Sequence, residues 1–182
     1  MVALLAICGS LRKASINRAL LAAVAEVLPA GARMALYDGL DLPIFNNDLE
    51  DPPGVVELKA AIAAADGVVF GVPEYNYSIP GGLKNALDWV SRPPDQSPLR
   101  GKPVGIVGAA SGMSGTIRAQ THLRQILLYS DSPCLGQPEV LIPRAKERFD
   151  AERRLADAST RILLESFAAA MVAFVKRCGR AG

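Results

Sequence analysis

The segment Gly9-Ser10-Leu11-Arg12-Lys13-Ala14-Ser15-Ile16-Asn17 follows a short apolar run and leads into a stretch of helical periodicity. Hydroxyls, an amide and two cations thus meet the start of a helix, where free backbone N–H groups and the helix dipole favour an anion. The nucleotide pattern G-x-x-x-x-G-K-[ST] and the dinucleotide pattern G-x-G-x-x-G are both absent from this loop. What remains is the grip of a monophosphate by hydroxyls, amide N–H groups and Arg12. Helix capping alone would account for Ser15 or Asn17. It does not account for Ser10 and Arg12 arriving with them.

A second segment, Pro73-Glu74-Tyr75-Asn76-Tyr77-Ser78-Ile79-Pro80-Gly81-Gly82, sets tyrosines and an asparagine between prolines and glycines. Such a loop is stiff and offers backbone hydrogen bonds together with flat aromatic surface, which suits a planar heteroaromatic ring. A third, Ala110-Ser111-Gly112-Met113-Ser114-Gly115-Thr116, is glycine-rich and also precedes a helical stretch. With Gly108 its spacing fails as a nucleotide fingerprint, so it reads as the second wall of the same ring pocket. His122 is the single histidine, with no triad or metal-ligand pattern around it, and reads as a structural helix residue. Lys84 and Arg92 read as solvated helix cations, and Trp89 as packing.

These segments need a scaffold. Aliphatic runs at 2–8, 32–37, 67–72, 104–109 and, less regularly, 133–142 are candidate strands. The middle three are continuously apolar, the pattern of parallel strands covered on both faces. Between them apolar residues recur at helical spacing: Leu20, Leu21, Val24, Val27 and Leu28; Val55, Leu58 and Ile62; Leu83, Leu87 and Val90; Ile117, Leu123 and Leu127. A last helix is expected to carry Leu155, Ile162, Leu163, Phe167, Met171 and Phe174, with the charged run 144–154 a solvated connection into it. Strand and helix alternate five times, which predicts one flavodoxin-like α/β domain with a doubly wound parallel sheet in the order 2-1-3-4-5. Ligands in such sheets bind at the carboxyl ends of the strands. The three loops follow strands one, three and four.

Composition narrows the classes. Across 182 residues, 50% hydrophobic and 21% charged with a net charge of +2, neither disorder nor a nucleic-acid-binding surface is indicated. Cys8, Cys134 and Cys178 lie far apart and supply neither a zinc knuckle nor a C-x-x-C redox pair. The first apolar run is too short for a secretion leader, and residues 162–175 are broken by Glu165 and Ser166 short of the ~20 apolar residues of a membrane span. A soluble cytoplasmic protein is the expectation.

Taken together, the phosphate loop, the run from Pro73 through Lys84-Asn85-Ala86 to Asp88-Trp89, and Ser111-Gly112 closely resemble the NADPH-dependent FMN reductase family. Within it the likeness is to bacterial chromate and quinone reductases, and it extends to Leu42-Pro43 and His122-Leu123-Arg124-Gln125. The resemblance implies bound FMN, with Ser10, Arg12, Ser15, Ile16 and Asn17 around its phosphate and Pro73, Glu74, Tyr75 and Asn76 along the ring edge and ribityl chain. Ser111, Gly112 and Gly115 would approach the ring from the other side. It further implies a homodimer or homotetramer and NADPH or NADH as electron donor.

A flavin carries its own hydride and electron chemistry, so no catalytic side chain and no metal is required. The expected activity is alternating transfer from NAD(P)H to a quinone, chromate, azo compound or ferric complex. A flavodoxin-type electron carrier and a noncatalytic redox sensor are the alternatives. Carriers of that kind look strongly acidic and usually lack an arginine in the phosphate loop, whereas this chain is near neutral and has Arg12.

Overall fold

The computed structural model describes residues 1–179. Five runs rich in Val, Ile, Leu and Ala form one parallel sheet: β1 (Val2–Cys8), β2 (Ala32–Tyr37), β3 (Gly67–Gly71), β4 (Val104–Ala109) and β5 (Val140–Ile142). Its order is β2-β1-β3-β4-β5, as the alternation of elements predicts. Helices α1 (Ile16–Glu26), α2 (Pro53–Ala64), α3 (Gly81–Val90) and α4 (Ile117–Leu127) make the crossovers, and together with α5 (Ala158–Cys178), which follows β5, they cover both faces.

Two cores result. On one face Leu20, Leu21 and Val24 of α1 meet Phe167 and Met171 of α5 over the sheet. On the other, Leu58 and Ile62 of α2, Leu83 and Leu87 of α3, and Leu123 and Leu127 of α4 pack on Phe70, Val104 and Ile106. Each such buried side chain contributes about 1.5–3 kcal/mol relative to exposure. The switch in strand order between β1 and β3 leaves the loops after β1, β3 and β4 side by side at the carboxyl ends of the parallel strands, locked at their roots by the Gly9 N–H on Gly71 O (2.9 Å) and the Val72 N–H on Val107 O (2.8 Å).

Several expectations are corrected. β2 is half-exposed along its length, because an edge strand has a neighbour on one side only; two-face burial belongs to β1, β3 and β4. Val72 lies just past the end of β3. The fifth strand is only Val140–Ile142; Cys134 makes a lone bridge to Val104 before Gly136 and Pro138, which lacks an N–H, break the ladder. Leu155 lies outside α5 and bridges back to Phe149. The run 144–154 is no plain solvated connection, since it buries Ala145 and Phe149. Ile117 is exposed and not part of the α4 core stripe. Finally, α5 has the length and hydropathy of a membrane span despite Glu165, but its apolar side, including Leu164, Phe167 and Met171, is buried in the fold.

Candidate functional site

In the loop after β1, Leu11, Arg12, Lys13 and Ala14 are exposed while Ser10 and Ser15 are buried. The Arg12 N–H donates to Ser10 Oγ (3.3 Å), and the Ser15 N–H donates to Arg12 O (3.1 Å), which curls the loop over the start of α1. Ser15 is the residue before the helix, yet its hydroxyl caps no N–H and lies 3.7 Å from Cys8 Sγ. No acidic side chain stands in the first turn either. The helix therefore presents uncapped N–H groups at Ile16, Asn17 and Arg18. Arg18 pairs with Asp38, whereas Arg12 and Lys13 form no ion pair among the described residues.

Asn17 has its side chain engaged elsewhere. Its Nδ2 donates to Ala109 O (3.0 Å) and its Oδ1 accepts from the Ala109 N–H (2.8 Å), so the amide ties α1 to the end of β4. Only its backbone N–H faces the loop as a donor. Ile16 is half-buried against the α1–α5 core.

The loop after β3 is a miniature hairpin. Tyr75 and Ser78 exchange two backbone hydrogen bonds of 3.0 Å, with Asn76 (φ 50°) and Tyr77 (φ 67°) at its tip. Positive φ at both tip residues is the geometry of a two-residue primed turn, which asparagine adopts readily and tyrosine does not. Three contacts hold it. Tyr75 OH and Ser10 Oγ share a hydrogen bond of 3.3 Å, the Arg118 guanidinium stacks 4.4 Å from the Tyr77 ring centre, and Ser78 Oγ pairs with His122 Nδ1 at 3.0 Å. Pro73 and Pro80 are buried at its ends, while Asn76 is exposed.

Glu74 faces away from the hairpin tip toward α4. Its carboxylate accepts from Arg118 Nη1 (3.1 Å), from the N–H groups of Arg118 (3.0 Å) and Ala119 (3.4 Å), and from Ser114 Oγ (3.5 Å). Burial alone would raise its pKa, but the hydrogen bonds from Arg118 and Ala119 outweigh it and hold the carboxyl below the usual range.

After β4, Ser111, Gly112 and Met113 are exposed. Gly112 O accepts from the Arg144 N–H (3.1 Å) and Ala110 O from the Ala145 N–H (2.9 Å), which moors the loop to the chain after β5. Gly115 (φ 56°) lies against β5, where a Cβ would come within 2.8 Å of the Leu141 carbonyl carbon. At Gly108 a Cβ would meet Thr116 Oγ1 at 1.8 Å. Both glycines shape this loop through close approach to protein atoms.

A recess of about 330 Å³ lies between Gly9, Leu11, Arg12 and Tyr75 on one side and Pro80–Gly82 on the other. A larger cavity, about 570 Å³, opens between α3 and α4 beside Leu87, His122, Ile126 and Tyr129, and touches the loop after β3 at Ser78. Trp89 is buried, its Nε1 donating to Pro43 O (2.8 Å), and Lys84 pairs with Asp88. No group of three metal-ligating side chains occurs among the described residues. Sequence reasoning missed Arg118. One signal was available: a cation in the first turn of a helix opposes the dipole unless an anion sits beside it.

An uncapped helix start flanked by free cations, next to a rigid aromatic hairpin at the switch point of a doubly wound sheet, suits a phosphorylated planar cofactor. The sequence profile of the NADPH-dependent FMN reductases matches residues 2–147, and the chain belongs to that family, a class of FMN-dependent oxidoreductases that draw on NAD(P)H. Its relatives include a NAD(P)H-dependent FMN reductase of Pseudomonas aeruginosa, 45% identical over 97% of this chain and 96% of that one. A 2-hydroxy-1,4-benzoquinone reductase of Burkholderia is 41% identical over 93% of this chain and 94% of its own. Among solved structures, the flavoenzyme NAD(P)H:(acceptor) oxidoreductase FerB of Paracoccus denitrificans superposes with a TM-score of 0.89 at 33% identity, covering 97% of this chain and 98% of that one.

Proposed function

We propose that this chain binds FMN across the three loops and reduces quinones with NADPH or NADH, taking chromate, azo compounds or ferric complexes as further acceptors. The observation that carries the reading is the uncapped start of α1 beside Arg12 and Lys13, opposite a hairpin already held in shape. The FMN phosphate would be held by Ser10, by Arg12 and by the backbone at Ser15, Ile16 and Asn17. Pro73, Glu74, Tyr75 and Asn76 would border the ring through backbone groups, with Ser111 and Gly112 opposite and Gly115 shaping that wall.

Bound FMN supplies the chemistry, accepting hydride from a nicotinamide and delivering electrons to the acceptor. The residues' part is to bind and orient. Arg12 and the α1 N–H groups would fix the phosphate end, and loop N–H groups aimed at the ring would favour negative charge developing there. Tyr75, Tyr77 and Met113 are exposed at the mouth, leaving a face where donor and acceptor could bind in turn. Large apolar side chains exposed at the end of α4, Leu128 and Tyr129, support a homodimer or homotetramer. Such an enzyme would work in the cytoplasm.

The test is the visible spectrum of the purified protein with FMN, then anaerobic NADPH or NADH, then a quinone. Bleaching by a nicotinamide and recovery with the quinone is expected. FMN that binds but is bleached by neither nicotinamide would instead indicate a carrier or sensor.

A further inference from the structure

The carboxylate of Glu74 has no obvious use in a binding loop that works through its backbone. Its side chain is only 8% exposed, in a loop whose next three residues are open to solvent. Both oxygens are occupied: Oε1 takes Arg118 Nη1 and Ser114 Oγ, and Oε2 takes the N–H groups of Arg118 and Ala119. All of these donors lie on the loop after β4 or on α4, at least 40 residues away in sequence. Through Arg118, which stacks on Tyr77, the same cluster reaches the tip of the hairpin. Tyr77 there holds a left-handed backbone that a tyrosine adopts only when its surroundings impose it.

We propose that Glu74 is a positioning residue: its carboxylate straps the hairpin after β3 to the start of α4 and so sets how tightly the flavin ring is held, without touching the flavin. This rests on the flavin reading above. The strap also makes the starts of α1 and α4 unequal, because Glu74 consumes the donors of α4 while those of α1 stay open to a phosphate.

The test titrates FMN and riboflavin, which lacks the phosphate, into wild-type protein and the variants E74A, R118A and R12A, following flavin fluorescence. Loss of the strap acts on the ring, so E74A should weaken both flavins by the same factor, about tenfold or more. R12A should weaken FMN while leaving riboflavin unchanged, which separates ring from phosphate. A merely structural Glu74 would lower the melting temperature of E74A and leave both affinities at wild-type values, and that result overturns the proposal. Should E74A not fold, R118A decides, since it removes the charged arm of the strap and with it the hold on Tyr77. Weaker riboflavin binding by R118A supports the strap; unchanged binding overturns it. Wild-type protein that takes up neither flavin would overturn the flavin reading, and the proposal with it.

Discussion

At Asn17 one carboxamide satisfies both the N–H and the C=O of Ala109, at the point where β4 turns into the site. Removing it leaves two buried polar groups unpaired, each costing about 1–3 kcal/mol. N17A should therefore lower stability by about 2 kcal/mol or more in urea unfolding, a loss too large for a simple exposed loop residue. Asn17 was legible as a polar residue at a helix start, because that pattern is local. Its partner is 92 residues away, and no local spacing announces it. Glu74 and Arg118 are the same case across 44 residues. Ser10 and Arg12, by contrast, belong to one short loop that local sequence describes, one buried against Tyr75 and the other open to solvent.

The helices differ in how they begin. α1 has no cap, α4 is closed by a side chain from another loop, and α5 is closed by its own Asp157. Asp157 accepts from the Thr160 N–H (2.7 Å), from the hydroxyls of Ser159 (2.6 Å) and Thr160 (2.7 Å), and from Arg148 (2.8 Å). The Ser159 and Thr160 bonds, with Arg148 adding to them, hold its carboxyl far below the ordinary value. A carboxyl depressed on folding stabilises the protein above its unfolded pKa, about 3.9, and that contribution fades as pH falls toward the folded value. Melting temperatures taken from about pH 6 to about pH 3 should fall more steeply for wild type than for D157N, whose melting point at neutral pH should already be lower. Equal slopes would show that the cap carries no proton linkage. Among the strands, β3 and β4 were readable because two covered faces leave a continuous apolar run. β2 resembled them in composition but lies at the edge, and β5 was overdrawn because Pro138 and Gly136 interrupt residues that otherwise look like strand.

At the scale of the whole molecule, the alternation of strand and helix was enough to predict the sheet order and hence which three loops converge. Packing between distant segments was less accessible: that Gly108 exists to admit Thr116, or that α5 hides a span-like hydrophobic side against the sheet, follows only from the assembled layers. The same assembly leaves β2 as an outer strand with a neighbour on one side only, and Arg33 stands exposed in it. Unpaired strand edges template pairing with other chains, and a charge on such an edge discourages it. By that argument Arg33 would guard against misassembly, away from the three loops of the site. R33V should leave monomer stability nearly unchanged yet raise turbidity on refolding at high protein concentration, a fault that light scattering would detect and an activity assay on fresh enzyme would miss.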